Sequence, residues 1–110
     1  MNWNHITGLV EIDNIIQKSH TTPQVIFKHS TRCSISSIAK SRLERDAFPS
    51  HVDFYYLDLI KYRSISNAIE KIFDVQHESP QVLIIRNGKC VYDESHNGIR
   101  MDEILAMTKQ

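Results

Sequence analysis

Apolar residues recur at intervals of three and four positions in four segments of the chain, which is the period of one helical face. Thr7 is the expected N-cap of the first helix, and Ser64 that of the third, whose spacing is the most regular. The first helix should stop before Pro23, because a proline disfavours the helical conformation of the preceding residue. The second should end near Pro49. The apolar positions are Leu9, Ile12, Ile15 and Ile16; Ile35, Ile38, Ala39, Leu43 and Ala47; Ile65, Ala68, Ile69, Ile72 and Phe73; and, within a fourth helix over 101–108, Ile104 and Leu105.

Three other segments are β-branched, aromatic or continuously apolar, as is typical of strands, and they cover residues 24–27, 51–57 and 82–85. Asn87-Gly88 then supplies the two positive-φ residues of a tight hairpin turn, so a fourth strand should return antiparallel. The order α-β-α-β-α-β-β-α predicts a parallel pair with right-handed crossovers, extended by the hairpin. We expect an α/β fold in which helices flank a four-stranded mixed sheet.

Length and charge narrow the class of protein. A chain of 110 residues is expected to form one domain, residues 1–110, which can bury roughly two thirds of its unfolded surface. Basic and acidic residues number 13 each, so no net charge favours nucleic acid or an anionic membrane. No apolar run approaches the roughly 20 residues that span a bilayer, and the first residues do not resemble a secretory signal. We expect a cytoplasmic protein that binds neither nucleic acid nor membrane.

The two cysteines, Cys33 and Cys90, and the six histidines do not suggest a structural site. A disulfide is unexpected in a reducing compartment, and the cysteines are too few for a zinc cluster. The histidines lack ligand spacing, so no metal site is expected. Cys90 falls in the last strand and is interpreted as a half-buried strand residue. The alternative, a slow resolving thiol for Cys33, is disfavoured by the expected distance across the sheet.

Cys33 lies where the first strand gives way to the second helix, in the polar segment TRCSIS at residues 31–36. A helix N-terminus carries about half a positive charge and has unpaired amide groups, and both stabilise a thiolate relative to a thiol. Lys28, His29 and Arg32 are close in sequence and can add positive charge. The thiolate is the attacking species in thiol–disulfide exchange, so Cys33 is the predicted nucleophile. The alternative is an unreactive buried cysteine, although its neighbours are polar rather than core-like.

With a cysteine at this position, the order of elements is the minimal thioredoxin layout. Ser36 occupies the place of the resolving cysteine in two-cysteine thioredoxins. Its hydroxyl cannot form a disulfide, but it can donate a hydrogen bond to a thiolate one turn away, and this makes it the second predicted catalytic residue. Alternatively, it is a first-turn serine that accepts hydrogen bonds from backbone amides. In either case, a second molecule must resolve a mixed disulfide on Cys33.

Pro80 begins the strand that leads into the hairpin. In thioredoxin-like folds a cis-proline at this point faces the reactive cysteine across the end of the sheet. Its missing N–H leaves the preceding residue, Ser79, free to pair its backbone with a bound thiol compound. The alternative is a trans proline that merely starts an edge strand.

Taken together, several segments resemble the monothiol bacilliredoxins, small thioredoxin-like proteins of the bacillithiol system. The resemblance covers nearly the whole chain, and HESPQ at residues 77–81 with Ser95-His96 makes it more specific than Cys-x-x-Ser alone. Ser34 departs from the Thr-x-Cys-Pro-Ile-Ser pattern of the family, and its amide restores one donor near the sulfur. The segments that carry the resemblance are TRCSIS, YYLDLIKYRSISNAI, HESPQVLIIRNGK and ESHNGI.

The resemblance implies removal of bacillithiol from mixed disulfides on cytoplasmic proteins. Cys33 would take over the bacillithiol, and a low-molecular-weight thiol or a reductase would regenerate it. No cofactor is implied; bacillithiol or a similar thiol is the co-substrate. Bacillithiol carries a malate group, and we infer from charge that Lys28, Arg32 and the helix start around Ser34 suit its carboxylates.

Two other functions remain open at this point. The chain could be a thioredoxin-fold binding or stress protein in which Cys33 is idle. It could also carry an iron–sulfur cluster like the monothiol glutaredoxins. Those proteins favour Cys-Gly-Phe-Ser and a late glycine pair, and both features are missing here.

Overall fold

The computed structural model describes residues 3–109 and contains a five-stranded sheet with helices on both faces. The strands are β1 (Asn4–His5), β2 (Gln24–His29), β3 (Asp53–Asp58), β4 (Gln81–Arg86) and β5 (Lys89–Ser95). The helices are α1 (Leu9–Lys18), α2 (Ser34–Glu44), α3 (Arg63–Phe73) and α4 (Met101–Met107), with a 3-10 turn at His96–Gly98. No helix within residues 3–109 is long and apolar enough to cross a membrane.

The strands lie in the order β1-β3-β2-β4-β5, so β2 is central. β3 pairs parallel with β1 and β2, while β4 pairs antiparallel with β2 and β5. The predicted mixed sheet and its closing hairpin are confirmed, with Asn87 and Gly88 at φ 53° and 76° in the turn. The fifth strand, β1, was not predicted, because two residues are too short to show a strand period.

Alternating side chains of β2 face two different cores. Ile26 packs with residues of α1 and α3, whereas Phe27 packs with residues of α2 and α4. The central strand is buried along its whole length. This alternation decides on which side of the sheet each polar residue at the end of β2 lies. The first core includes Ile12, Ile15, Ile69 and Phe73, and the second includes Ala39, Leu43, Val82 and Ile104.

Two predicted helix caps are wrong. The N-cap of α1 is Gly8, not Thr7, because the Glu11 carboxylate accepts hydrogen bonds from both backbone amides, at 2.7 Å from Gly8 and 2.8 Å from Thr7. The N-cap of α3 is Tyr62, so Ser64 lies inside the helix.

The second helix ends earlier than expected, at Glu44 rather than near Pro49. Its predicted apolar stripe is also only partly buried. Ala39 and Leu43 face the core, but Ile35 and Ile38 are 45% and 52% exposed. The apolar surface next to Cys33 therefore faces solvent.

Candidate active site

Cys33 is the N-cap of α2, as the sequence suggests. Its backbone is extended, its N–H donates to the Ser30 carbonyl at 3.2 Å, and its carbonyl accepts from the Ser37 N–H at 3.1 Å. The residue is partly exposed and its thiol is free. The first amide groups of α2 have no acceptor within the helix. A partly exposed sulfur beside such amides is accessible to a disulfide.

Ser36 is fully buried behind Cys33, in the first turn of α2. Its Oγ accepts the Ser30 N–H at 3.0 Å and lies 2.8 Å from Nδ1 of His29. Within residues 3–109 these are the hydrogen bonds of the Ser36 hydroxyl, and none joins it to the Cys33 sulfur. The free protein therefore shows the arrangement in which Ser36 satisfies a backbone donor.

His29 is a buried neighbour of Ser36. Its position in the sequence predicts only a nearby positive charge, but the side chain is 4% exposed at the end of β2. Burial lowers its pKa, as does the nearby Lys40, so the imidazole is neutral at pH 7. No periodic pattern links His29 to Ser36, because their contact spans the loop between a strand and a helix.

The Ser79–Pro80 peptide bond is cis. The register of the sheet pairs Lys28 of β2 with Gln81, the residue after Pro80, so Pro80 lies at the end of the sheet from which the chain leads to Cys33. The Pro80 carbonyl accepts the His96 N–H at 3.0 Å. The 3-10 turn that begins at His96 packs against α2. The start of α2, the cis bond and the turn therefore converge at one end of the sheet.

Ser79 is partly buried in this region. Its Oγ is inaccessible to solvent and has no hydrogen-bond partner among the described residues. Burial of a hydroxyl without a partner costs free energy.

Lys28 does not lie at the site, contrary to the prediction from charge. It is 0% exposed and faces the side of α1 and α3, where its Nζ is 3.4 Å from Nδ1 of His77. Burial lowers the pKa of Lys28, and the Glu70 carboxylate opposes that shift. The sheet separates this ammonium group from α2, so it cannot contact a carboxylate bound at Cys33.

His77, whose role the sequence left open, belongs to the same buried group as Lys28. Its Nδ1 also lies 3.4 Å from the Ser66 hydroxyl, and its backbone N–H donates to Glu70 Oε2 at 2.8 Å. These contacts anchor the segment that precedes the cis bond on α3. His96 is exposed instead, with Nε2 3.5 Å from Glu78 Oε1.

Arg32 and Ser34 flank Cys33 and are both exposed. In the part of the chain that the structure describes, the Arg32 side chain makes no hydrogen bond or ion pair, so its guanidinium is open to solvent. Of the three basic residues near Cys33 in sequence, Arg32 alone is exposed, since Lys28 and His29 are buried. Both residues lie where a bound thiol compound could contact them.

Cys90 lies in β5 and packs against the core that contains Ile26. Its Sγ is 3.3 Å from the Tyr92 carbonyl oxygen, and burial raises the pKa of its thiol. These are the properties of a half-buried strand residue, in agreement with the interpretation from sequence. Within residues 3–109, no group of three or more histidine, cysteine or acidic side chains could hold a metal ion.

Comparison with known proteins places these features in context. A sequence profile described as "Monothiol bacilliredoxin BrxC" matches residues 4–104. A solved structure described as having a thioredoxin fold superposes with a TM-score of 0.84 at 25% identity, covering 96% of this chain and 93% of that one.

Two thioredoxins of lower identity have the same fold. The Fasciola hepatica protein matches with a TM-score of 0.75 at 17% identity, over 96% of this chain and 99% of its own. Mitochondrial thioredoxin 3 from Saccharomyces cerevisiae matches with a TM-score of 0.72 at 18% identity, over 96% and 92%. The predicted thioredoxin-like fold is therefore confirmed, and the profile match supports a thiol redox function.

Proposed function

Because the chain belongs to the monothiol bacilliredoxin family, we propose that it removes bacillithiol from mixed disulfides on cytoplasmic client proteins. The observation that carries this proposal is the placement of Cys33 as the partly exposed N-cap of α2. The thiol is accessible to a disulfide, and it lies beside the unpaired amides at the start of the helix.

The proposed reaction is two successive exchanges. The Cys33 thiolate attacks the bacillithiol sulfur of the mixed disulfide, the old S–S bond breaks, and the client leaves as a thiolate that takes up a proton. A second thiolate, from a low-molecular-weight thiol or a reductase, then attacks the bacillithiol sulfur on Cys33. The Cys33 thiolate is released, and the bacillithiol leaves in a new disulfide with that second thiol.

The residues around Cys33 support binding of an anionic thiol compound. The Arg32 guanidinium is accessible, and the amides that start with Ser34 point out of the helix end, so both can contact carboxylates. On the other side, Ser79 can pair its backbone with the bound thiol next to Pro80, and its Oγ has no other partner within residues 3–109.

The absence of a resolving thiol near Cys33 favours a one-cysteine cycle. Ser36 stands one turn after Cys33, and within the described chain Cys90 is held in β5 with a raised pKa. The bound bacillithiol would therefore stay on Cys33 until a second molecule arrives. Its partners would be bacillithiolated proteins and a low-molecular-weight thiol.

The test uses a purified client protein that carries one bacillithiol mixed disulfide. Intact-mass spectrometry should show loss of bacillithiol from the client and an adduct on Cys33. Cys33→Ser should abolish the transfer, and Cys90→Ser should retain it. If Cys33→Ser leaves the transfer unchanged, or the protein only binds the client, the redox proposal fails. If a glutathione mixed disulfide is reduced equally well, the function stands but bacillithiol is not its specific substrate.

A further inference from the structure

The Ser36 hydroxyl lies between a backbone donor, the Ser30 N–H, and the ring of His29. Oγ lies 2.8 Å from Nδ1 of His29 and accepts the Ser30 N–H at 3.0 Å. Both side chains are buried, with Ser36 at 0% and His29 at 4% exposure. The imidazole also lies near the rings of Phe27 and Tyr56, whose centroids are 5.7 and 5.3 Å away.

Counting protons shows that this contact has two states. A hydroxyl has one proton to donate, and Nδ1 of a neutral imidazole must accept that proton if Nε2 carries the ring hydrogen. In this state the Ser36 proton is used by His29. When the imidazole is protonated, Nδ1–H donates to Oγ, and the hydroxyl proton is free to turn elsewhere. The Cys33 sulfur, one helical turn earlier, is the group that can use it.

We propose that His29 is a positioning residue for Cys33, acting through Ser36. A neutral His29 holds the Ser36 proton away from the sulfur, and a protonated His29 lets the hydroxyl stabilise the thiolate. This inference rests on the proposed role of Cys33 as the nucleophile. It assigns no contact of His29 with the substrate.

The charged groups that face His29 come from two elements. Lys40 and Glu44 lie on α2, and Asp58 ends β3 beside it. Burial and Lys40 hold the pKa of His29 below its ordinary value, while Asp58, the contact with Ser36 and Glu44 act in the opposite direction. The neutral state is therefore the resting state at pH 7, and acidification fills the protonated state.

The two ionisations should consequently be coupled. As the pH falls, protonation of His29 stabilises the Cys33 thiolate. The fraction of Cys33 in the thiolate form therefore decreases less steeply than it would without this contact. By reciprocity, the thiolate must favour protonation of His29 by the same factor. One charge-assisted hydrogen bond corresponds to a coupling of about tenfold.

The test is the rate at which Cys33 reacts with iodoacetamide between about pH 4.5 and 8, the range in which a histidine titrates. A Cys90→Ser background leaves one thiol. With His29 and Ser36 intact, the logarithm of the rate should rise less steeply with pH than one ionisation allows. His29→Asn keeps a hydrogen-bonding atom near the position of Nδ1 but cannot titrate. We expect that variant and Ser36→Ala to follow a single ionisation, with rates at the acid end about tenfold lower.

His20→Asn is the matched control, because this exposed histidine lies beside Gly88 at the hairpin turn. It should keep the shallow profile. A shallow profile that persists in His29→Asn would overturn the proposal, since another group would then be responsible. A shallow profile that persists in Ser36→Ala would also overturn it, since the imidazole would act by charge alone.

A second measurement needs no variant. Nitrogen NMR of the His29 ring should show the Nε2–H tautomer at pH 8, and its titration midpoint should fall when Cys33 is alkylated. An unchanged midpoint would contradict the coupling. These readouts use no bacillithiol, so they stay informative if the substrate proposal fails. If Cys33 does not react with iodoacetamide at all, its proposed role as the nucleophile fails instead.

Discussion

Nζ of Lys28 lies 3.4 Å from Nδ1 of His77, buried on the side of the sheet away from Cys33. The position of Lys28 in sequence, five residues before Cys33, suggests the opposite. Because side chains alternate along a strand, the neighbouring His29 reaches the α2 side and Lys28 does not. Replacement of Lys28 and replacement of His29 should therefore affect the site differently.

Lys28→Met should leave catalysis almost unchanged. Methionine fills a similar volume without a buried charge, so the free energy of unfolding should stay within about 1.5 kcal/mol of the parent value. The rate of bacillithiol transfer should be almost unchanged, because the Lys28 ammonium lies on the opposite face of the sheet from Cys33. The measurements are urea unfolding and intact-mass kinetics. A folded variant with a strongly reduced rate would show that Lys28 does contribute to the site.

Arg32→Gln should have the opposite effect. The guanidinium is exposed and has no partner within the described chain, so the free energy of unfolding should change by less than about 0.5 kcal/mol. Transfer from an anionic bacillithiol disulfide should slow by about three- to tenfold, because attraction to its carboxylates is lost. The rate with a neutral small disulfide should not change. Arg45→Gln, at the far end of α2, is the control, and an equal loss of rate in both variants would exclude a specific contact.

Acidification should destabilise the protein through one buried histidine, His29, and one partly buried histidine, His77. Burial lowers the pKa of His29 and of His77 from the ordinary value of 6.5. The unfolded chain therefore binds more protons than the folded protein as the pH falls below 6.5. The free energy of unfolding should be constant at higher pH and should decrease as the pH drops through that value and towards the lower pKa of the folded state.

Urea unfolding at a series of pH values measures this dependence. His29→Asn and His77→Asn should each flatten it, whereas His20→Asn, at an exposed histidine, should not. A free energy of unfolding that stays constant down to about pH 5 would show that the folded protein protonates both histidines without penalty.

The two thiols should differ sharply in reactivity. Burial raises the pKa of Cys90, and its Sγ is engaged with the Tyr92 carbonyl. At pH 8, iodoacetamide should label Cys33 at least about tenfold faster than Cys90, because the thiolate is the reacting form. Peptide mass spectrometry resolves the two sites. A Cys33–Cys90 disulfide in the oxidised protein would contradict the one-cysteine cycle.

Much of the fold could be predicted because it depends on periodic burial. The helical spacing of Ile65, Ile69 and Phe73 and the hairpin turn at Asn87-Gly88 are local signals, and both appear in the structure where expected. The strand β1 could not be predicted, since Asn4 and His5 are exposed and pair only with residues some 50 positions later.

The site was predictable only where its residues are adjacent in sequence. The position of Cys33 at the start of α2 follows from the change of period between strand and helix. The face of Lys28 does not, because β2 is buried on both sides and shows no alternation of polar and apolar residues. The contact between His29 and Ser36 is set by how the loop closes over the helix end, which no sequence pattern records.

The central position of β2 in the sheet limits how far the Cys33 sulfur can be displaced. A strand with neighbours on both sides exchanges its amide hydrogens only when a large part of the sheet opens. The chain leaves that strand at His29 and reaches Cys33 four residues later. The sulfur is thus joined by a short segment to the central strand, so fraying of β1 or β5 at the two edges should leave its position undisturbed.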